Sequence, residues 1–333
     1  MFCLKKMSFA SIIVLMLFLY GCSDNNGAGT ASSIPSNSPS PSSAASNETG
    51  SLQTRTVKDA KGQVDIPVNP KRIVDISGST EELIVLGLPP VLTGNTDMAN
   101  PTDVTPILKK ELGDKVGVAG WFQTEVSVEA ILAANPDLIL AGPTQEKIYE
   151  QLQKIAPTVR VPYGFNAFRG RFAFVAEVFD KKAEMEAWLK TYDERSKQLH
   201  EQITAVSKQE TFAVIEATEK EIRIYSSTGI ADMIFQDLKL PKAPGTPDPD
   251  PWGGKVTNLE GLSTLNPDHL ILLVNSDNNV LEQSKIWSSL KAVKAENVYR
   301  MTSKQNYNEA FFAIGKQSVL EQISGDILKH AKQ

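Results

Sequence analysis

The chain has 333 residues, of which 41% are hydrophobic and 22% charged, enough apolar material for one large or two medium folded domains. Its formal net charge is −5 and it has no long basic run, so nucleic acid is not an expected partner. Both cysteines, Cys3 and Cys22, lie near the N-terminus, which excludes a disulfide framework, a cysteine-ligated metal centre and a cysteine nucleophile from the remainder.

The first 22 residues have the pattern of a lipoprotein signal peptide. Two lysines, Lys5 and Lys6, precede an apolar run at 9–20, which is shorter than the roughly 20 residues that a membrane-spanning helix needs. The sequence Leu-Tyr-Gly-Cys at 19–22 resembles the bacterial lipobox, in which cleavage leaves the cysteine first and lipidated. We predict a signal peptide at 1–21 and lipidation of Cys22; the alternative is an uncleaved anchor with an incidental cysteine.

Residues 22–54 are predicted to form a flexible tether. They are rich in Ser, Asn, Gly, Pro and Thr and contain almost nothing apolar, so they cannot bury enough surface to fold. A lipid and a tether together place the folded part just outside a cell membrane, on its extracellular face. The length of the tether favours a Gram-positive-type surface.

The remaining chain alternates between predicted strands and helices, first at 55–180 and again at 208–333. Strands are predicted at 72–76, 91–93, 137–141, 158–161, 211–215, 221–225 and 269–274. Helices are predicted at 79–87 and 230–238, and a closing helix within 311–330. This alternation indicates an α/β fold with mostly parallel sheets covered by helices.

Residues 181–207 are predicted to form one long helix that joins an N-terminal lobe to a C-terminal lobe. The stretch has no Pro or Gly, and its apolar residues recur at approximately helical spacing. Its central position indicates a rigid link between the lobes.

An internal repeat supports two similar lobes. Residues 126–140 align without gaps with residues 257–271, and each copy reads as a short helix, an Asn-Pro-Asp turn and a buried strand. Glu129 and Glu260 occupy the same place in the two copies. Two related lobes predict a ligand cleft between them.

Motifs for several kinds of catalysis are missing from the sequence. It has no Walker phosphate loop, dinucleotide fingerprint, His-Glu-x-x-His or Gly-x-Ser-x-Gly motif. His200, His269 and His330 are scattered, which favours structural roles over a shared metal site. The sequence does not exclude a pair of catalytic carboxylates like those of glycosidases, but no pattern identifies such a pair. The chain is therefore predicted not to be an enzyme, with an anchored hydrolase as a minor alternative.

Residues 55–333 resemble the iron-siderophore and cobalamin class of ABC-transporter substrate-binding proteins. The resemblance lies in Arg-Ile-Val at 72–74, Glu-Glu-Leu-Ile-Val-Leu-Gly at 81–87, both Glu…Asn-Pro-Asp repeats, Trp-Ser-Ser-Leu-Lys-Ala-Val at 287–293, Asn-Val-Tyr at 297–299 and the final helix. It implies two lobes joined by one long helix and a ligand that is a ferric siderophore, with cobalamin or haem as alternatives.

The resemblance also implies that one carboxylate on each lobe docks onto the dimeric permease of the transporter, which works with an ATPase. By position in the motif, these are Glu129 and Glu260. The alternative is that each Glu only complements a helix dipole, with Ser127 and Asn258 as N-caps. A monomer is expected, and no cofactor, because iron would arrive inside its chelating ligand.

Arginine and aromatic residues on loops and strand ends are the candidate ligand contacts. Arginine offers forked donors and stacks on rings, which suits oxygen-rich ferric chelates. The predicted ligand-binding residues are Trp121, Arg169, Arg171, Arg223, Tyr225, Trp252 and Tyr307. Each could instead be an ordinary surface or packing residue.

Overall fold

The structure is a computed structural model that describes residues 53–164, 166–251 and 253–330. The predicted signal peptide, Cys22 and almost all of the predicted tether lie outside the described residues, as does Trp252. None of the helices in the described ranges is long and apolar enough to span a bilayer. We call residues 53–180 the N-terminal lobe and residues 208–330 the C-terminal lobe.

The N-terminal lobe is built on a five-stranded parallel sheet. The strands of this lobe are β1 (Thr54–Lys58), β2 (Gln63–Pro67), β3 (Ile73–Ile76), β4 (Leu92–Thr93), β5 (Thr96–Asp97), β6 (Asn100–Val104), β7 (Gly117–Val118), β8 (Leu138–Ala141) and β9 (Thr158–Arg160). The central sheet has the order β7-β4-β3-β8-β9, while β1 with β2 and β5 with β6 form two antiparallel hairpins. Strands β3 and β8 are buried along their whole length, as expected of a sheet covered on both faces.

Short helices cover this sheet. They are α1 (Thr80–Val85), α2 (Pro106–Leu112), α3 (Val128–Ala133), α4 (Tyr149–Gln153) and α5 (Phe168–Val178), with 3₁₀ turns at Gly113–Lys115 and Pro143–Ile148. Helix α5 then leads into the long helix α6 (Lys182–Ser207), which is the predicted link between the lobes. Helix α6 buries Met185, Tyr192, Leu199 and Ile203, so one face packs while the other meets solvent.

The C-terminal lobe repeats this plan with a mixed sheet. Its strands are β10 (Phe212–Ala217), β11 (Ile222–Tyr225), β12 (Gly254–Thr257), β13 (His269–Leu273) and β14 (Val298–Met301), in the order β12-β11-β10-β13-β14. Its helices are α7 (Gly229–Asp232) with a π turn at Met233–Asp237, α8 (Leu259–Leu265), α9 (Lys291–Lys294) after a 3₁₀ turn at Trp287–Ser289, α10 (Ser303–Asn308) and α11 (Ala313–His330).

The predicted α/β fold, with two similar lobes and mostly parallel central sheets, is therefore confirmed. Strand β11 pairs antiparallel with both β10 and β12, so this sheet is only half parallel. The short connection at 218–221 explains the β10–β11 pair, because it allows a hairpin but not the crossover that parallel strands require.

The sequence repeat has the same structure in both lobes. Helix α3 leads to β8 and helix α8 leads to β13, and Asn135 and Asn266 take positive φ values of 46° and 34° at the intervening turns. Asparagine tolerates this left-handed conformation better than most residues. The Asp that follows accepts backbone N–H bonds just before the first strand of each sheet, Asp137 from Lys71 at 2.6 Å and Asp268 from Thr211 at 3.0 Å.

Helix α11 binds the two lobes together. It contacts α6 and also α1 of the N-terminal lobe. Glu81 on α1 accepts the backbone N–H of Gly315 at 2.8 Å in the first turn of α11. The next residue, Lys316, is 1% exposed, and its Nζ lies 2.9 Å from carboxylate oxygens of both Asp232 and Asp237. Polar contacts thus fix α11 against both lobes.

The Glu81 contact predicts a pH-dependent stability. Burial raises the pKa of Glu81 from its ordinary value of 4.5 to about 8, and the nearby carboxylates Glu82 and Glu309 act in the same direction. The folded protein thus holds a proton that the unfolded chain releases, so this stabilisation is complete below pH 4.5 and is lost as pH rises to about 8. We expect Glu81→Gln to remove a slope of up to about 1.4 kcal/mol per pH unit.

Urea unfolding of the wild type and of Glu81→Gln across that pH range measures this slope. Glu150→Gln is the matched control, because Glu150 is an exposed carboxylate on α4. Buried acids that do not interact with Glu81 contribute equally to the wild type and the variant, so the difference measures Glu81 together with its coupling to Glu82 and Glu309. Parallel curves for the wild type and Glu81→Gln would refute the prediction.

Candidate functional site

Both lobes line one open cleft with a volume of about 410 Å³, within the range of small-molecule sites. The N-terminal lobe contributes Met98, Trp121, Phe122 and Gln123, and the C-terminal lobe contributes Glu216, Glu221, Arg223, Tyr225 and Tyr307. The lining combines aromatic rings with a few polar groups. A ligand in this cleft therefore touches both lobes at once.

Aromatic rings from the two lobes meet at the floor of the cleft. The Phe122 ring lies 5.9 Å from the Phe312 ring in an edge-to-face arrangement, and the backbone N–H of Phe122 donates to Gly94 at 2.9 Å. Gly78 has φ +87° and a Cβ there would lie 2.6 Å from the Phe122 ring, so only glycine fits. The Phe122 ring is 3% exposed and serves mainly to seal the lobes together.

Trp121 presents the larger aromatic surface to the cleft. It is partly exposed, and its ring packs edge-to-face on Phe122 with centroids 6.2 Å apart. The Phe122 anchor limits the orientations of Trp121. A flat, partly exposed ring held in this way suits stacking on an aromatic or planar part of a ligand.

Two tyrosines and a carboxylate form a hydrogen-bonded group on the opposite wall. The Tyr225 hydroxyl donates to Glu216 Oε2 at 3.0 Å, and Tyr307 Oη lies 3.2 Å from the same oxygen. The two tyrosine hydroxyls also contact each other. Burial, and then the charge of Glu216, raise the pKa of Tyr307 to about 12 and raise the pKa of Tyr225 as well. Both phenols therefore stay protonated at physiological pH.

Arg223 lies on the same hairpin and is already paired. Its Nη1 lies 2.6 Å from Asp250 Oδ2, and the arginine side chain is 19% exposed. Arg223 is opposite Glu216 in the β10–β11 register, which places both on the cleft side of the sheet. This guanidinium is the one cationic group among the described cleft-lining residues.

The structure brings together four of the predicted ligand-binding residues. Trp121, Arg223, Tyr225 and Tyr307 all line the cleft, whereas Trp252 lies outside the described residues. The prediction did not include Glu216, Glu221, Met98 or Gln123. The register of the β10–β11 hairpin could have identified Glu216, because it lies opposite Arg223.

The predicted cleft positions of Arg169 and Arg171 are wrong. Both lie on helix α5 rather than on a loop. Arg169 pairs with Asp193 at 2.5 Å and with Asp237 at 3.4 Å, beside the linking helix. Arg171 is 0% exposed and pairs with Glu82 at 2.7 Å. Helical geometry buries Arg171 within the protein, whereas Arg169 stays exposed beside the linking helix, away from the cleft.

The predicted docking residues occupy matching places in the two lobes. Glu129 and Glu260 are exposed at the second positions of α3 and α8. The side chains of Ser127 and Asn258 cap these helices by accepting from the backbone N–H of Ala130 and Gly261 at 3.1 and 2.9 Å. The predicted N-caps are confirmed, while the docking role itself stays a prediction.

Metal ligands do not cluster in the described ranges. No group of three or more His, Cys, Asp or Glu residues there is arranged to hold a metal ion. His269 instead bonds Tyr299 at 3.0 Å and Glu210 at 2.8 Å and stacks on Phe212 with centroids 4.3 Å apart. Its surroundings are those of a packing residue.

Comparison of the sequence with known proteins finds related binding proteins. A family model described as periplasmic binding protein matches residues 77–305. The chain is 29% identical over 276 residues to a probable siderophore-binding lipoprotein of Bacillus subtilis, covering 78% of this chain and 83% of the relative. It is 27% identical over 336 residues to an iron(3+)-hydroxamate-binding protein of the same organism, covering 97% and 96%.

A solved structure from Bacillus subtilis has the same fold. It is described as a FhuD fold-family periplasmic binding protein component of a Fep/Fec-like ferrichrome ABC transporter. The TM-score is 0.69 at 26% identity, covering 82% of this chain and 100% of that chain.

Proposed function

The chain belongs to the periplasmic binding protein family, and we propose that it is the extracellular solute-binding lipoprotein of an ABC importer that captures a ferric siderophore. The observation that carries the proposal is the cleft to which both lobes contribute aromatic side chains and polar groups. Relatives described as siderophore-binding and iron(3+)-hydroxamate-binding support the ligand class.

The iron in this proposal stays inside its chelator. Relatives described as siderophore-binding and iron(3+)-hydroxamate-binding support this view. Burial and Glu216 raise the pKa of Tyr307 to about 12, so its phenol is protonated before a ligand binds. The cleft instead offers ring surfaces and hydrogen bonds to the outside of a chelate. The protein then binds and releases its ligand without carrying out any chemistry.

Delivery to the transporter completes the proposed role. Glu129 and Glu260 would dock a monomer onto the two halves of the permease, one carboxylate from each lobe. The lipid on Cys22 would keep the protein at the outer face of the cell membrane, near that permease. The lipid anchor, the monomeric state and the permease contact belong to the proposal.

The proposed site predicts a specific loss on removing Trp121. We expect Trp121→Ala in the full-length, detergent-purified chain to weaken binding of the best-bound ferric siderophore by about tenfold or more, because buried aromatic contacts dominate such sites. Isothermal titration calorimetry measures the change. Trp287→Phe is the control, since Trp287 packs against the C-terminal lobe core and does not line the cleft. Equal affinities for wild type and Trp121→Ala would count against this cleft as the binding site.

A further inference from the structure

The cleft carries more negative than positive charge. Two carboxylates, Glu216 and Glu221, line it beside the guanidinium of Arg223. Arg223 is already paired with Asp250 at 2.6 Å, so its charge is largely compensated. Among the described residues, the ion pairs do not include one from Lys or Arg to Glu216. A ligand that enters this cleft therefore meets a half-buried carboxylate that has no salt bridge of its own among the described residues.

The tyrosine hydroxyls, like the carboxylates, disfavour an anionic ligand, because of the direction of their hydrogen bonds. Each phenol has one proton to donate. The short contacts among Tyr225, Tyr307 and Glu216 use both protons, whether each phenol donates to Glu216 or Tyr307 donates to Tyr225. The hydroxyls then offer a ligand only acceptor lone pairs. Acceptors suit the amide N–H and ammonium groups of a ligand and not its carboxylate or catecholate oxygens.

We infer, on the premise that the proposed function holds, that Glu216 makes the cleft select ferric complexes without net negative charge. The favoured ligands are neutral or cationic complexes of the trihydroxamate kind. Anionic catecholate and citrate complexes are disfavoured, because their oxygens and charge would face a carboxylate and two hydroxyls that cannot donate. Glu216 is thus a specificity-determining residue of the cleft.

Three ferric complexes of different charge test this selectivity in the full-length chain purified in detergent. The probes are cationic ferrioxamine B, neutral ferrichrome and trianionic ferric enterobactin, titrated by calorimetry. We expect the wild type to bind the first two at least about tenfold more tightly than the third. Glu216→Gln should lower the affinity for ferrioxamine B by about tenfold and raise the affinity for ferric enterobactin by about tenfold. The affinity for ferrichrome should change by less than about threefold.

A matched control separates Glu216 from general surface charge. Glu219 is exposed in the turn between β10 and β11 and does not line the cleft. Glu219→Gln should leave all three affinities within about twofold of the wild type. If Glu216→Gln does not fold, the salt dependence of the wild type provides the test. Added salt should weaken binding of ferrioxamine B, strengthen binding of enterobactin and leave ferrichrome nearly unchanged.

The possible failures are distinguishable. Absence of binding to every ferric complex tested would contradict the proposed function. Binding of ferric enterobactin as tightly as ferrioxamine B, or a ratio of the two that Glu216→Gln leaves unchanged, would overturn the role of Glu216 alone. Ferric siderophore binding would stand in that second case.

Discussion

Replacing Arg171 with Met is expected to lower the free energy of unfolding by about 3–5 kcal/mol, because it removes one partner of a buried ion pair. Arg171 Nη2 lies 2.7 Å from Glu82 Oε1 and 2.7 Å from the carbonyl oxygen of Phe311, and both charged residues are 0% exposed. The guanidinium also lies 5.3 Å from the centre of the Phe312 ring. These contacts join α5 and α1 to the segment that begins α11, so the substitution weakens the junction between the lobes.

Two further variants separate the ion pair from simple loss of packing. Arg171→Met combined with Glu82→Met should recover most of the lost stability, because no unpaired charge then remains buried. Arg195→Met should cost less than about 1 kcal/mol, since the Arg195–Glu321 pair is 37% and 42% exposed and solvent screens it. Urea unfolding measures the free energy of unfolding of all three variants. An Arg171→Met protein as stable as the wild type, or no recovery in the double variant, would contradict the expectation.

Replacing Glu129 and Glu260 together with Ala is expected to reduce siderophore uptake by about tenfold or more while ligand affinity stays within about twofold. Both carboxylates are exposed at the second position of a capped helix, one on each lobe. Their equivalent places on the two lobes are what the proposed docking onto a two-fold symmetric permease requires. Neither residue lines the cleft, so ligand binding should not depend on them.

Uptake of a radiolabelled ferric siderophore by whole cells, measured beside calorimetry on the purified protein, separates docking from binding. The control replaces Glu150 and Glu219, exposed carboxylates elsewhere on the two lobes, and should transport normally. The alternative role, complementing a helix dipole, predicts a stability loss of about 0.3–1 kcal/mol per site and full uptake. Loss of ligand affinity in the Glu129 and Glu260 double variant would refute the docking assignment.

The architecture could be predicted from sequence because local patterns determine it. The linking helix needs only helical spacing without Pro or Gly, and it is observed at Lys182–Ser207. The repeat encodes its own turn, since Asn135 and Asn266 both take positive φ before an Asp that accepts backbone N–H groups. The resemblance to siderophore-type substrate-binding proteins is likewise confirmed by the family match. The mostly parallel character of the sheets is also confirmed, and the antiparallel β10–β11 pair in the second sheet follows from the short connection at 218–221.

The site was predictable only in part, because it depends on contacts between distant segments. Trp121 and Tyr307 could be identified as aromatic residues on loops or near helix ends. Arg171 could not be placed, because a glycine-containing stretch reads as a loop while the structure forms helix α5 and turns Arg171 toward Glu82. Glu216 was overlooked in an otherwise apolar strand. Its place in the site becomes visible only through its hydrogen bonds to Tyr225, nine residues away, and to Tyr307, 91 residues away.

Titration of the wild-type, full-length chain with ferric siderophores and with the same chelators free of iron tests the central claim most directly. The chain has four tryptophans, and Trp121 lines the cleft, so quenching of tryptophan fluorescence reports occupancy. The account predicts saturable quenching by at least one ferric complex and much weaker quenching by its iron-free form. Equal quenching by both forms, or none by any ferric complex, would contradict it.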